Sequence, residues 1–351
     1  FLGLEVLSIS LYILIAIRKT DAYSNEAGIK YFVMGAVSSA FLTFGIAVVY
    51  AARGTLDIAR SLAAGTPLES TSLIFLGLIL VLAGIAFKIS MVPFHLWTPD
   101  VYQGAPAPVA AFLSTGSKVA LFAALLRFAA YSGGEIWSSF RPALWIFAVL
   151  TIVAGTLSAV AQPRLKRLLA YSSVAQMGYL LMTLLSAKEM GAPAIIYYLA
   201  VYALMDLGAF GAVAILSARE RDLDDLEDCR GLAFVHPWTA ALLAVSLVSL
   251  AGLPPTGGFI GKFALFRAVL HSGYIVIAVI GILAAVVSVF FYFKVVVAFF
   301  MSPPRPIAAK AIAATEGVAG ALILLATVWL GLFPEPVFVV IADAVLALGV
   351  R

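Results

Sequence analysis

Cysteine and charge are both scarce in this chain of 351 residues. The single thiol, Cys229, excludes an iron–sulfur cluster, because such a cluster needs several thiolate ligands. His95, His236 and His271 all lie at predicted helix ends, so they do not face one another across helices to hold a haem. The sequence also has no glycine-rich phosphate loop after a strand and no paired-histidine metal motif. We therefore expect no metal and no redox cofactor in this chain, which moves something rather than oxidising it.

The low charge places the chain in a membrane. Charged residues make up 11% of it, against about 25% in soluble domains, and the mean hydropathy is +1.09. Apolar runs of about 20 residues, the length of a membrane-spanning helix, recur along the whole chain. We predict an all-α, polytopic transmembrane bundle of about ten helices, at 1–17, 29–52, 72–93, 107–131, 143–161, 166–187, 193–218, 237–270 (broken near its prolines), 274–302 and 316–348.

The positive charges predict an orientation in the membrane. The net charge of +4 fits membrane topology and gives no reason to expect nucleic acid as a partner. Alternating helices place eleven Lys and Arg residues on one side and seven on the other. Because cytoplasmic loops carry the excess, we predict that the first side faces the cytoplasm at the inner membrane. Its joints are 18–30, 94–106, 162–167, 219–231 and 303–310.

The start of the chain lies inside an apolar run. Phe1 stands where a methionine is expected, and neither a basic n-region nor a small-residue cleavage site follows it. We expect that further helices precede residue 1.

Two interrupted helices carry buried lysines. Lys88 lies five residues before Pro93, and a proline removes a backbone donor and disturbs the preceding turn, freeing the carbonyl of Ile89. Lys262 follows a second interruption, the Pro- and Gly-rich segment 249–263. Non-helical backbone at membrane depth is tolerated only beside protein or a water-filled cavity. Paired broken helices are typical of inverted-repeat transporters and mark the ion path.

Lysines at such depth need a function. Each costs about 2.5 to 3.5 kcal/mol to insert, and lysine, unlike arginine, can give up its proton when it is desolvated. Lys88, Lys118 and Lys262 therefore predict a proton relay. The alternatives are snorkelling for Lys88 and Lys262 and local hydroxyl partners for Lys118, which follows Ser114, Thr115 and Ser117.

Other charged residues are weaker candidates. Glu5 is predicted to pair with Lys88, with an interaction of roughly 3 kcal/mol at about 6 Å and an effective dielectric near 20; its alternative is a solvated helix end. Asp206 is interpreted as an ion-pair partner for one of the lysines. Lys294 lies deep in an apolar run but beside no helix break. Two basic residues that open a helix, Lys166 and Arg167, are interpreted as topogenic charges.

These residues resemble a known family. The run 87–106, Phe-Lys-Ile-Ser-Met-Val-Pro-Phe-His-Leu-Trp-Thr-Pro-Asp-Val-Tyr-Gln-Gly-Ala-Pro, with Phe-Leu-Ser-Thr-Gly-Ser-Lys at 112–118, is similar to the N-type antiporter-like membrane subunit of respiratory complex I. That subunit is related to Mrp-type cation/proton antiporters. Further matching segments are 3–5, 26–32, 166–173 and 251–263.

The resemblance implies two inverted five-helix repeats with one broken helix each. The first covers 1–131 and lacks about four N-terminal helices, the second covers 132–302, and 303–351 form a C-terminal joint and helix. Carried over by position, the proton relay consists of Glu5, Lys88, Lys118 and Lys262. The sequence departs from the family at Gln176, where sister subunits often have histidine, and at Asp206, where a neutral residue is expected.

The resemblance also implies a function. The chain is then a proton-translocating membrane subunit of NADH:quinone oxidoreductase, beside the M-type and K-type subunits in the bilayer. NADH, FMN, iron–sulfur clusters and quinone belong to partner subunits. The alternatives are a sister subunit of a ferredoxin-fed or hydrogenase complex, an Mrp-type antiporter, or a helical scaffold that conducts nothing.

Overall fold

The chain is almost entirely helical. The computed structural model describes residues 1–62, 68–132, 134–217, 223–301, 303 and 313–347, and within these ranges no β-strand occurs. The helices are α1 Leu2–Ile15, α2 Ala22–Arg53, α3 Ile58–Leu62, α4 Leu68–Lys88, α5 Trp97–Gly104, α6 Ala107–Tyr131, α7 Gly134–Val160, α8 Leu165–Leu184, α9 Ala192–Leu216, α10 Pro237–Ala251, α11 Gly257–His271, α12 Ile275–Met301, α13 Ala314–Leu332 and α14 Glu335–Ala347.

The prediction of an all-α transmembrane bundle is confirmed, but the number of helices is not. Each of the ten predicted apolar runs contains a helix, yet the described residues form fourteen α-helices. The additional four are the short α3, α5 in the predicted joint 94–106, and the second helices of two interrupted runs, α11 and α14. The run predicted at 316–348 ends one helix at Leu332 and begins another at Glu335, with Pro334 between them.

The lengths and composition of the helices fit a multi-pass membrane protein. Among the described residues, six helical segments are long and apolar enough to cross a bilayer. They are Ala22–Arg53, Ala107–Tyr131, Ile136–Val160, Ala192–Leu216, Ile275–Met301 and Ala314–Leu332. Three shorter apolar helical segments, Leu2–Ile15, Ser72–Lys88 and Pro237–Ala251, accompany them.

The most deeply buried helix is also one of the more polar. Nearly every residue of α8 is buried, and it packs against α5, α7, α9, α11 and α12. Ser172, Ser173 and Gln176 interrupt its apolar sequence and lie inside the bundle. By contrast, α2, α12 and α13 expose rows of large apolar side chains, as expected for surfaces in contact with lipid.

The first helix break begins earlier than the sequence predicted. Lys88 is the last residue of α4, and the chain turns at Ser90, whose φ of 63° is left-handed. The Ser90 amide donates to the Phe87 carbonyl and the Met91 amide to the Ala86 carbonyl, which together form a Schellman motif. The helix has thus ended before Pro93 could disturb it, and Ile89 is not the point of interruption. The predicted joint 94–106 contains the buried helix α5.

The second break has the same construction. Helix α10 ends at Ala251, and Gly252 adopts a left-handed φ of 82°. The Gly252 amide donates to the Ser249 carbonyl and the Leu253 amide to the Val248 carbonyl, again forming a Schellman motif. Glycine suits this position because a left-handed backbone is unfavourable for residues with a Cβ atom. Two breaks of one geometry are therefore built by different sequences.

Some predicted joints lie outside the described residues. These are the joint 303–310 apart from residue 303, and part of the joint 219–231; on the opposite side of the membrane they are parts of the segments 53–71 and 127–142 between predicted helices. Cys229 lies in the acidic joint 219–231, where the neighbouring Asp225 and Asp228 are exposed but the thiol itself is buried. Burial, with nearby aspartates, raises the pKa of the Cys229 thiol.

Candidate functional site

Glu5 and Lys88 form an ion pair between α1 and α4. The Lys88 ammonium lies 3.6 Å from Glu5 Oε1 and donates a hydrogen bond of 2.8 Å to Ser8 Oγ. The side chain of Lys88 is 7% exposed and that of Glu5 is 22% exposed, so the pair sits at the edge of the buried interior. The Ser39 hydroxyl also donates to Glu5 Oε1, at 2.7 Å, which holds the carboxylate in place.

The position of Lys88 at the end of α4 favours its buried ammonium. Its helix leaves the last backbone carbonyls without intrahelical partners, and this end of a helix attracts positive charge. The Trp97 indole donates to one of these carbonyls, that of Phe87, at 3.1 Å. Across the break, the Thr98 hydroxyl donates to Ser90 Oγ at 2.8 Å. The break therefore satisfies its backbone partly through α5.

Lys118 is fully buried in the middle of α6. Its ammonium donates to Ser173 Oγ of α8 at 2.6 Å and lies 5.5 Å from the centre of the Tyr102 ring. Ser173 Oγ is 2.6 Å from the Tyr202 hydroxyl of α9. Tyr202 in turn donates to Asp206 Oδ2 at 3.4 Å. The partners of Lys118 lie on other helices, so the alternative that its own neighbouring hydroxyls satisfy it does not hold.

Lys262 lies at the end of α10, although it belongs to α11. Its ammonium donates to the carbonyls of Leu250, at 2.7 Å, and Ala251, at 3.1 Å. It also lies 5.2 Å from the centre of the Tyr179 ring. These carbonyls are among those that the helix end leaves free, and the ammonium satisfies them. Lys262 is buried, so it does not snorkel to an interface.

A second group of hydrogen-bonded side chains begins at Ser172, next to Ser173 in α8. It extends to the Leu250 carbonyl, which also accepts a hydrogen bond from Lys262. Ser172 and Tyr292 share a short hydrogen bond. The Gln176 amide donates to the Tyr292 hydroxyl at 3.1 Å and to the Leu250 carbonyl at 3.3 Å. Gln176 also accepts a short hydrogen bond from the Tyr198 hydroxyl. Because a side-chain amide is neutral, Gln176 orients this group without holding a charge.

The structure brings part of the predicted relay together. Lys118 and Lys262 are joined to hydrogen-bonded groups that begin at adjacent residues of α8, Ser173 and Ser172. Lys88 forms a separate cluster with Glu5, and the hydrogen bonds of the described residues do not link it to Lys118. The described residues thus contain one ion pair and two hydrogen-bonded groups, and no hydrogen bond among these residues joins the three.

The two weaker candidates differ in their placement. Asp206 is buried in α9 at the end of the Lys118 group. Lys294 is exposed on α12, and its ammonium donates to the Gln162 carbonyl at 3.2 Å. The structure therefore does not bring Lys294 together with the other lysines.

The bonds of Lys166 and Arg167 were missed from the sequence. Lys166 is buried, and its ammonium donates to the Ala105 carbonyl at 2.6 Å, after the end of α5. Arg167 donates to Asp100 Oδ1 at 2.6 Å, and Lys30 donates to Asp100 Oδ2 at the same distance. Burial opposes ionisation of Asp100, but the hydrogen bonds from Lys30 and Arg167 lower the pKa of its carboxyl below the ordinary value. Lys30 of α2, with Lys166 and Arg167 of α8, therefore fixes α5 between α2 and α8.

The chemistry of the cluster is that of amines, hydroxyls and two carboxylates. Among the described residues, no group of three or more His, Cys, Asp or Glu side chains converges as a metal site needs. Ammonium groups donate hydrogen bonds, and hydroxyls both donate and accept them. Such a row can hold protons and pass them between neighbouring groups.

Comparisons with known proteins agree with this geometry. Residues 1–288 match the family model described as NADH:quinone oxidoreductase/Mrp antiporter, TM. The chain is 52% identical over 344 residues to NADH-quinone oxidoreductase subunit N 1 of Solidesulfovibrio magneticus, covering 97% of this chain and 73% of that protein.

Solved structures share the fold. A chain of respiratory complex I from Thermus thermophilus with bound aureothin is 36% identical, with a TM-score of 0.83, covering 96% of this chain and 73% of that one. A chain of the Mrp complex from Dietzia sp. DQ12-45-1b has a TM-score of 0.88 over 99% of this chain and 73% of its own length. Its identity is 23%, so this likeness concerns the fold alone. The chain belongs to the NADH:quinone oxidoreductase/Mrp antiporter transmembrane family and groups there with the subunits N of NADH-quinone oxidoreductase.

Proposed function

We propose that the chain is the proton-translocating N-type membrane subunit of an NADH:quinone oxidoreductase. The observation that carries the proposal is the placement of buried lysines at the ends of two broken helices and between them. Identity of 52% to a subunit N supports this branch of the family over its sisters. The redox chemistry belongs to partner subunits that hold NADH, FMN, iron–sulfur clusters and quinone.

Glu5 controls the first lysine of the relay. With the pair closed, the carboxylate stabilises the ammonium of Lys88 across 3.6 Å. When charge movement in a neighbouring subunit draws Glu5 away, the buried ammonium loses its counter-charge and its proton passes towards Lys118. The gap between the two lysines is crossed by water that enters when the pair opens.

Lys118 and Lys262 complete the path. Lys118 passes its proton towards Lys262 through the hydroxyl groups on α8, α9 and α12 and through water that bridges the two hydrogen-bonded groups and Lys262, where the free carbonyls of α10 stabilise the arriving charge. The break at Gly252 lies beside Lys262, so a small rearrangement of the backbone changes the partners of this ammonium.

The alternative functions have weaker support. A sodium site needs several hard oxygen ligands, whereas the buried charges among the described residues are mainly lysines, which repel Na⁺. A scaffold has no need of buried lysines, because apolar residues of similar volume stabilise such positions at least as well. A ferredoxin-fed or hydrogenase complex shares the fold and differs in its partner chains.

The assignment includes a topology and an arrangement of repeats. We assign the connections 18–30, 162–167 and 219–231 to the cytoplasmic side. The C-terminal end of α1 and the N-terminal end of α8 then face the cytoplasm. The M-type and K-type subunits are the neighbours within the membrane. The like geometry of the two breaks supports one repeat in 1–131 and a second in 132–302.

The proposal is tested by purifying the complex that contains this chain from its native membranes. An affinity tag on the chain should recover the NADH-oxidising subunits, and NADH should drive proton uptake into sealed inverted vesicles. Recovery of only Mrp-type antiporter chains, or of hydrogenase or ferredoxin-oxidising chains, would assign the chain to one of the sister assemblies. An intact complex that oxidises NADH without any proton uptake would support the alternative that the chain is a helical scaffold that conducts nothing.

A further inference from the structure

One acid is buried among several bases. The buried side chains of the described residues include four lysines, Lys88, Lys118, Lys166 and Lys262, but a single carboxylate, that of Asp206. Asp206 is 1% exposed and lies in an otherwise apolar stretch of α9. Burying a carboxylate without a partner is costly, so its place in the bundle needs a physical reason.

The partner is Lys118, reached through two hydroxyl groups. The row runs from Lys118 through Ser173 and Tyr202 to Asp206, with successive distances of 2.6, 2.6 and 3.4 Å. Tyr202 and Asp206 are four residues apart and lie on one face of α9. The row therefore joins three helices, α6, α8 and α9, at the centre of the bundle.

The two ends of this row give its hydrogen bonds a single direction. An ammonium can only donate hydrogen bonds, and an ionised carboxylate can only accept them. The Ser173 hydroxyl accepts from Lys118 and is free to donate to Tyr202, which donates to Asp206. Among the described residues no side chain donates to Asp206 Oδ1 with good geometry, but the Ser114 hydroxyl of α6 lies beside the carboxylate.

We propose that Asp206 is the counter-charge of Lys118, a second carboxylate–lysine pair that does for the central lysine what Glu5 does for Lys88. The inference rests on the proposed relay and adds a residue to it. Asp206 is a positioning residue, because it acts on Lys118 through Ser173 and Tyr202 and does not contact the ammonium in these hydrogen bonds. The bridging hydroxyls allow the pair to tighten or loosen as Lys118 gains or loses its proton.

Few other titratable groups surround the pair. The titratable side chains that interact electrostatically with Asp206 are Lys118 and the phenols of Tyr102, Tyr202 and Tyr292, and the Ser114 hydroxyl, which does not titrate, also acts on it. All three phenols are buried, and α10, which packs against α9, has no titratable side chain. A change in the charge at position 206 therefore acts mainly on Lys118.

The test compares Asp206→Asn with wild type in the native complex, using NADH-driven proton uptake by sealed inverted vesicles. Removing the charge should lower the protons taken up per NADH several-fold. It should also displace the pH of half-maximal coupled turnover by about one pH unit, the shift expected for a charge separated by two hydroxyls at an effective dielectric near 20. Asp206→Glu should restore both. The matched control is Asp343→Asn, an exposed acid on α14, which should leave both unchanged.

Lys118→Ala, measured in the same assay, separates failure of the inference from failure of the relay. If Lys118→Ala pumps normally, the relay itself is wrong. If Lys118→Ala fails to pump while Asp206→Asn keeps the wild-type ratio and pH profile, Asp206 is not its counter-charge and the relay stands.

If Asp206→Asn assembles poorly, a double variant shows whether loss of the Lys118 partner is the cause. Loss of one partner leaves an unpaired buried charge, whereas loss of both is often neutral. The double variant Lys118→Met with Asp206→Asn should therefore recover assembly and raise the thermal midpoint above that of Asp206→Asn alone. No recovery would overturn the pair.

Discussion

Lys88 holds its position through two polar side chains of α1, and this predicts different results for changes in the lysine and in its partner. Lys88→Met removes the group that carries the proton and should leave an assembled complex with strongly slowed NADH-driven pumping. Glu5→Gln keeps Lys88 and its contact with Ser8 but removes the ion pair. Because Glu5 is partly exposed, that pair contributes roughly 3 kcal/mol or less. Glu5→Gln should therefore lose less pumping than Lys88→Met.

Proton uptake per NADH in sealed vesicles measures both variants. Normal pumping by an assembled Lys88→Met complex would remove Lys88 from the relay. A loss in Glu5→Gln as severe as that in Lys88→Met would place Glu5 on the proton path itself.

Lys294 provides a contrast at the same scale. It is a lysine in an apolar helix, but it is exposed and donates only to the Gln162 carbonyl among its described contacts. Lys294→Met should retain the wild-type ratio of protons to NADH, with a loss of stability within about 1 kcal/mol for one surface hydrogen bond. A loss of pumping comparable to that of Lys88→Met would show that this lysine belongs to a path not formed by the described residues.

Single residues were predicted well from the sequence where the signal was an unusual charge. The burial of Lys88, Lys118 and Lys262 follows from lysine in long apolar runs. Glu5 was also predicted as the partner of Lys88. The hydroxyl partners of Lys118 were not predicted, because Ser173 and Tyr202 are ordinary residues whose role depends on which helices meet. The available signal was the polar group Ser172, Ser173 and Gln176 within one apolar helix.

At the scale of the helix, the second break should be sensitive to a single methyl group. Gly252 has a φ of 82°, and a Cβ atom there would lie 2.7 Å from Cδ of Lys262. Gly252→Ala should destabilise the complex by about 1 to 2 kcal/mol for the left-handed backbone alone, and should displace Lys262 and impair pumping. The matched control is Gly211→Ala, within α9, where a Cβ meets nothing within 4 Å and alanine favours the helix.

Thermal unfolding and proton uptake, measured on both glycine variants, test this. Equal stability and equal pumping in Gly252→Ala and Gly211→Ala would show that the geometry of the break does not position Lys262.

The junction between α2, α5 and α8 should depend on pH through Asp100. The pKa of its carboxyl is lowered, since the hydrogen bonds from Lys30 and Arg167 outweigh the effect of burial. Its stabilising effect is therefore complete above the ordinary pKa, near 4, and is lost as the pH falls through the lowered value. Asp100→Asn should cost about 1 kcal/mol at neutral pH, because the site is partly exposed to solvent.

The thermal midpoint of the purified complex, followed against pH, measures this contribution. The curves of wild type and Asp100→Asn should converge once the pH falls below the lowered pKa of the Asp100 carboxyl. A constant difference at all pH values would show that the hydrogen bonds matter and the charge does not.

Helix breaks were predicted in the right segments but not at the right residues. Pro93 and the cluster around Pro254 identified both segments, because proline cannot continue a helix. The first helix nevertheless ends at Lys88, since a Schellman motif turns the chain at Ser90, and serine rarely adopts the left-handed backbone that this motif requires. The division of the last predicted helix beside Pro334 follows the same rule and was overlooked.

At the scale of the whole molecule, the sequence predicted the class of fold because composition and the length of apolar runs determine it. The packing of α8 at the centre was not predictable, since its polar residues make it one of the less apolar helices. Function at this scale depends on proton transfer between the hydrogen-bonded group of Lys118 and that of Lys262, which begin at the adjacent residues Ser173 and Ser172. Lys118 contributes the only ammonium at the junction of α6, α8 and α9 among the described residues.

The most direct test of the relay is NADH-driven proton uptake into sealed vesicles by the complex carrying Lys118→Arg. Arginine keeps the positive charge at this position but does not release a proton. The relay predicts that Lys118→Arg assembles and fails to pump, almost as completely as Lys118→Ala. Proton uptake at the wild-type ratio by Lys118→Arg would contradict it, as would wild-type uptake that requires added sodium.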